Sequence, residues 1–252
     1  NGGFASNAAS TITTADNLSG LIVACTDADA NTGPTIQLKR DSSTTAANDL
    51  LGNLIFVGEN DADEATVYAN IGSQNQVITN GSESGRFFIS TIVGGTEYSR
   101  FFADATETVI NENSRDLDFR VESNGNANML FVDGGNNRVG IGTNTPQVGT
   151  LHVHTATAGT VTASPQADDL VVESNTEAGI TILSPDDQSA RIRFSSPSTN
   201  TEVGGALIFY RQNINKMRIG TTVAGGVVGF DSGAGTEAMQ LDASGNLIIA
   251  NT

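Results

Sequence analysis

Residues 129–153 constrain this chain more than any other stretch. Met129 to Pro146 reads MLFVDGGNNRVGIGTNTP, and Leu151-His-Val153 follows. Leu130 to Val132 is a short β-forming run. Asp133-Gly-Gly-Asn-Asn137 is a turn cluster, because Gly and Asn tolerate positive φ and Asp can bond its own backbone. Val139 and Ile141 then alternate with Gly140 and Gly142, so one strand face is bare and can press against another backbone. The glycines do not read as a phosphate cradle. GxGxxG needs a following helix and GxxxxGK[ST] needs its lysine, whereas Gly142 runs into Thr-Asn-Thr-Pro and another strand.

The rest of the chain has the same texture: short alternating runs, Gly/Asn/Asp turns and no sustained helical period. Strands are expected at Leu21–Cys25, Thr35–Lys39, Gly52–Phe56, Thr66–Ile71, Gln76–Thr79, Arg86–Val93, Glu97–Phe102, Thr108–Ile110 and Leu117–Glu122. Beyond the opening motif they resume at Leu170–Glu173, Ile180–Leu183, Arg191–Phe194, Ala206–Tyr210, Lys216–Ile219, Gly226–Phe230, Met239–Leu241 and Leu247–Ile249. Gly94-Gly95 is a hairpin signal. Residues 1–20 read as a threading segment, 21–155 as a first β module, 156–168 as an Ala/Thr/Gly/Ser-rich linker and 169–252 as a second, shorter module.

Acidic residues number 28 against 12 basic ones, a formal charge of -16. Nucleic-acid binding needs a basic face that displaces counterions, so no nucleic-acid partner is expected. No apolar run reaches the roughly 18 residues of a membrane span, so no membrane insertion is expected. NGGFASNAAS lacks a signal-peptide pattern. With no initiator Met, the sequence is expected to be processed or to be part of something longer. The single cysteine, Cys25, excludes an intrachain disulfide and is expected to be a small buried hydrophobe.

Trp is absent, Gly is abundant at 28, and many of the apolar residues are Ala. So few large apolar side chains would struggle to fill a single-chain core. Pooling thin apolar faces from several chains solves that problem, so an obligate oligomer is expected.

A D-x-x-N-N turn followed by VGIGT-x-x-P and LHV resembles the repeat of fibre proteins of tailed bacteriophages, marine ones especially. The pattern is strongest over residues 33–60, 116–153 and 168–252. The resemblance implies an elongated, intertwined homotrimeric all-β fibre, with short-strand β-prism or β-sandwich-like modules stacked along a threefold axis. It implies a structural and adhesive role on a virion, as tail fibre rather than capsid fibre. The partners would be other virion proteins and a host-surface glycan or protein.

Internal duplication supports a repeating architecture. Gly52-Asn-Leu-Ile-Phe56 matches Gly205-Ala-Leu-Ile-Phe209, and Phe131-Val-Asp133 to Gly142 matches Gln240-Leu-Asp242 to Ala250. Val121-Glu-Ser-Asn124 recurs as Val172-Glu-Ser-Asn175. The second copy puts Ile248 and Ala250 where the first has Gly140 and Gly142, which weakens the motif there.

Two other readings are a polysaccharide-degrading tailspike and a trimeric bacterial surface adhesin. Glycoside hydrolysis needs two carboxylates at a set separation, and Asp61/Asp63 or Asp186/Asp187 are formal candidates. No nucleophile elbow G-x-S-x-G supports a triad on His152 or His154. The acidic loops at Asp27 and Glu59 fail the calcium pattern, since Thr32 and Leu38 occupy the positions of Gly and Glu in the first and Asn70 that of the closing Glu in the second. No catalytic residue is expected.

His152 and His154 are the chain's two histidines and share one strand face by the period of two. If that face turns to a threefold axis, six imidazoles converge, a donor set for an octahedral iron or nickel-type ion rather than zinc. The resemblance implies such an H-x-H iron site. The competing reading is a solvated or hydrogen-bonded pair with Leu151 and Val153 toward the axis. No other cofactor is expected.

Overall fold

A computed structural model describes residues 9–17, 19–147, 149–196 and 205–249. The described residues are all-β, without an α-helix, and a 3-10 turn at Gln212–Ile214 is their one helical element. The chain divides into two units, Asn1–Glu173 and Ser174–Thr252.

The first unit holds two five-stranded sheets. β1 (Leu50–Glu59), β2 (Ala65–Val77), β3 (Ser84–Val93), β4 (Thr96–Ala103) and β5 (Thr108–Ile110) form an antiparallel meander in chain order. The turn from β3 to β4 is Gly94-Gly95 with φ of 56° and 79°, the positive pair that a two-residue hairpin favours. The second sheet contains β6 (Phe119–Val121), β7 (Leu130–Asp133), β8 (Arg138–Ile141), β9 (Leu151–His154) and β10 (Leu170–Glu173). Its first three strands pair antiparallel, and β8, β9 and β10 pair parallel.

The second unit holds two three-stranded antiparallel sheets. One is β11 (Ala190–Phe194), β12 (Ala206–Arg211) and β13 (Lys216–Thr221). The other is β14 (Val228–Ser232), β15 (Thr236–Leu241) and β16 (Leu247–Ile249).

Residues opposite each other in a ladder share a face, and neighbours along a strand do not. This rule sorts every sheet into one apolar face and one mixed face. In the β6–β10 sheet, Phe119, Val132, Val139, Leu151 and Leu170 form one cross-strand row. Val121/Leu130 and Ile141/Val153/Val172 extend the same face. In the β14–β16 sheet the apolar face is Val228, Phe230, Met239, Leu241, Leu247 and Ile249. In β11–β13 it is Ile192, Phe194, Ile208, Tyr210, Met217 and Ile219. In β1–β5 it includes Leu54, Ile71, Ile89, Phe101 and Ile110. The two Phe-Phe pairs split as alternation requires. Phe87 and Phe101 stack edge-on at 6.1 Å on that face, while Phe88 and Phe102 lie opposite.

Within this chain these faces stay open. Among the described residues the buried apolar side chains are Phe102, Phe131 and Leu207. The chain exposes 19043 Å². A folded protein of its 26.0 kDa exposes about 10,500 Å², and two independent units of these sizes about 12,500 Å².

Several expected strands are absent. Leu21–Cys25, Thr35–Lys39 and Ile180–Leu183 are not strands. Each has β-forming residues, but a strand needs a ladder partner and none of the described residues supplies one, so Ile22, Ile36 and Leu183 stand open at 76%, 67% and 88% exposure. Thr35–Lys39 still lies beside β1. Leu38 sits where a Cβ on Gly52 would fall, and Arg40 reaches Asp49 at 3.1 Å. Cys25, expected to be buried, is exposed because its strand does not form. Gln76–Thr79 is not a separate strand, since β2 runs unbroken to Val77. Leu170–Glu173, expected to open the second module, completes the first unit's sheet. The stretch 156–168 is therefore the crossover between β9 and β10. Ala250 and residues 1–8 of the threading segment lie outside the described residues.

Candidate functional site

The turn that begins the central motif explains how β7, β8 and β9 come together. Asp133 pairs with Arg138, and the Asp133 carboxylate accepts from the Asn136 backbone N–H (2.8 Å) and side-chain amide (2.9 Å). Those bonds from Asn136 hold the Asp133 carboxyl below the usual aspartate range, the side-chain bond most. Asn137 takes the left-handed conformation at φ 57°. Beyond the turn, Gly140 and Gly142 do what their missing Cβ allows. A Cβ on Gly140 would fall 2.4 Å from the Thr143 carbonyl oxygen, and one on Gly142, at φ 85°, 2.1 Å from that of His154. The bare positions let a nine-residue crossover, 142–150, bring β9 in parallel beside β8.

β9 carries both histidines on the mixed face of the sheet, opposite Leu151 and Val153. Their rings meet edge-on at 5.4 Å. His152 is 1% exposed. Its Nδ1 accepts the Gln147 backbone N–H at 3.2 Å, so the neutral ring carries its proton on Nε2. Nε2 lies 2.9 Å from Glu173 Oε2 but makes no aligned hydrogen bond, so the contact is electrostatic with the proton off the line. His154 pairs in register with Glu173, and its Nδ1 is enclosed without a partner.

Glu173 ties the crossover to this pair. The Ala158 N–H donates to Oε1 at 2.7 Å. That bond, then the Thr157 hydroxyl, then His154 and His152, hold the Glu173 carboxyl below its ordinary range against the opposing effect of burial. The three side chains line a polar cavity of about 410 Å³ with Thr143, Thr145, Gln147, Thr157, Thr160 and Thr162. No serine lines it. Sequence spacing could not reveal Glu173, 19 residues beyond His154, because only the parallel β9–β10 pairing joins them.

Among the described residues, no group of three His, Cys, Asp or Glu side chains is placed to hold a metal ion. A six-imidazole site on a threefold axis would need this mixed face turned inward and His152 withdrawn from Gln147 and Glu173. The apolar row of Leu151 and Val153 occupies the other face. The carboxylate pairs Asp61/Asp63 and Asp186/Asp187 are exposed in turns. The loop at Glu59 closes around Asn60, whose Oδ1 accepts from the Ala62 and Glu64 N–H groups, each at 2.9 Å.

No family model, curated protein or solved structure matches the chain.

Proposed function

We propose that the chain is a structural and adhesive segment of a homotrimeric virion fibre, a phage tail fibre by preference over a capsid fibre. Copies of the chain cover one another's apolar sheet faces, and the mixed faces and loops point outward. The observation that carries this reading is the one-sided apolar face on each of the four sheets, open to solvent in the single chain. Burying such faces is worth about 25 cal/mol per Å², so leaving them in water would forfeit most of the driving force for folding. The VGIGT-N-T-P and LHV strings supply the virion context by resemblance. The partners are further copies of the chain, other virion proteins and a host-surface glycan or protein. This reading includes no nucleic-acid partner and no membrane insertion.

Electron microscopy of purified particles labelled with antibody to this chain tests the placement. Label on a projecting fibre is the expected result. Label absent from particles, or on a bacterial envelope, would contradict it. Breakdown of host polysaccharide by the purified assembly would replace the fibre reading with that of an enzymatic spike.

A further inference from the structure

The mixed face of the β11–β13 sheet gathers positive charge in an acidic chain. Arg191, Arg193, Arg211, Lys216 and Arg218 are five of the 12 basic residues in a chain of charge -16. The ladder puts all five on one face. Arg191, Phe209 and Arg218 form one cross-strand row, Arg211 faces Lys216, and Arg193 faces Leu207. The guanidinium carbons of Arg191 and Arg218 lie 5.9 and 5.5 Å from the Phe209 ring centroid, which fixes both head groups beside one ring.

Among the described residues none of the five makes an ion pair. The nearby Asp186 lines a different cavity with Ala190 and Tyr210, on the opposite, apolar face. The Arg211 Nε and one Arg193 Nη are enclosed N–H donors without an acceptor. Arg191, Arg211, Lys216 and Arg218 line a concavity of about 270 Å³ with Phe209 and Ser189. Arg211 and Lys216 face each other at one strand spacing, about 4.8 Å, where like charges repel, and Arg191 and Arg218 flank the same Phe209, so a face built this way lacks its counter-charge.

We propose that this face binds an acidic polysaccharide through its carboxylate or phosphate groups. Planar guanidinium groups match either oxyanion by paired N–H donors. The patch is three strands wide, and a nucleic-acid duplex, with one charge per about 1.7 Å of its axis, is repelled by a chain of charge -16 more strongly than a saccharide with about one charge per sugar. The proposal deepens the attachment reading and rests on it for the glycan's place on a host surface. The binding of the anion rests on this sheet alone.

The test is titration calorimetry of the assembled full chain with three saccharide probes: oligogalacturonate, a mannose-6-phosphate oligomer, and carboxyl-reduced, neutral oligogalacturonate. A DNA duplex is the class control. Binding of an acidic probe is expected, with the neutral one at least tenfold weaker and affinity falling roughly tenfold between about 50 and 200 mM salt. The two acidic arms distinguish carboxylate from phosphate as the preferred group. R191Q/R218Q, and K216Q alone as the milder change, should weaken binding by roughly tenfold and threefold while leaving the assembly's mass unchanged. K39Q should leave binding as it was.

Equal binding of the neutral probe, tighter binding of DNA, or unchanged affinity in both variants would overturn the proposal. Dissociation of the assembly in either variant would do the same, by making this face a contact between copies. No saccharide binding by an intact trimer removes this site and leaves the fibre reading standing. A monomeric chain that binds acidic saccharide through Arg218 supports this site and overturns the fibre reading.

Discussion

The duplicated turn motif occurs once in each unit, and the two copies diverge after the turn. Asp133 and Asp242 behave alike. Asp242 accepts from the Asn246 N–H (2.8 Å), its side-chain amide (3.0 Å) and the Ser244 N–H (2.9 Å), and its carboxyl lies below the usual range for the same reason as that of Asp133. The ladders also correspond. Val132↔Val139 and Phe131↔Gly140 in the first copy match Leu241↔Leu247 and Gln240↔Ile248 in the second. What differs is side-chain size. Buried Phe131 faces a bare glycine, and that glycine and its neighbour Gly142 admit β9 and then β10 in parallel. In the second copy Ile248 stands in place of Gly140, and among the described residues, which end at Ile249, β16 is the edge of a three-stranded sheet. The shared Asp-Asn turn sets the hairpin in both copies, and in the first the glycines make room for the chain that leads into β9.

Substitutions at matched positions test that contrast. Phe131→Ala should cost about 3–5 kcal/mol, because a buried ring leaves a cavity. Gln240→Ala, its counterpart, should cost less than about 0.5 kcal/mol. Denaturant melting of the assembly reads both, and equal costs would end the claim that the first copy alone is anchored here. Gly142→Ala should follow at roughly 2–4 kcal/mol, since it combines a positive φ with overlap on the His154 carbonyl. Ile248→Gly in the second copy should cost about 1 kcal/mol, and loss of β9 protection in hydrogen exchange should accompany only the first.

Asp133→Ala and Asp242→Ala should destabilise their hairpins to a similar, small extent, because both remove the same turn bonds. Both carboxyls are depressed on folding, so their contribution is complete above the ordinary aspartate range and lost as pH falls through the folded values. Asp104 gives a more defined window. Bonds from the Thr106 backbone and hydroxyl, and then from Gln76, lower it from 3.8 to about 2, so its contribution should fade between those values. An acid titration in which D104N removes no part of the stability loss in that interval would contradict it. The smallest effect concerns Glu173. Its depressed carboxyl should keep the β9–β10 crossover protected above the ordinary glutamate range and release it as pH falls below. Exchange at the Ala158 N–H would show this, and E173Q should abolish the pH response.

The sequence was most readable where a strand finds its partner a few residues away. β5, β7, β8, β12 and β16 lie where alternation and turn residues put them. It was least readable where pairing depends on something distant. Leu21–Cys25 and Ile180–Leu183 have strand composition but no partner among the described residues, so local pattern alone places strands there that do not form. Leu170–Glu173 was recognisable as a strand, but its partner was not, because a parallel crossover leaves no turn signal. The candidate site divides in the same way. The shared face of His152 and His154 follows from the period of two. Burial of His152 against Gln147 and Glu173 depends on the crossovers on either side of β9. The basic face of β11–β13 was written in the alternation of Arg191/Arg193, Arg211 and Lys216/Arg218, but only the ladder register joins three strands into one patch.

The central claim is that copies of this chain cover the apolar faces that each copy leaves open. Light scattering of the purified chain at micromolar concentration tests it most directly. The expected result is a single species of three times the 26.0 kDa chain mass, which persists in mild SDS at room temperature and shows no folded monomer on dilution. A monodisperse 26.0 kDa particle with a full β circular-dichroism spectrum and a cooperative melt would contradict it.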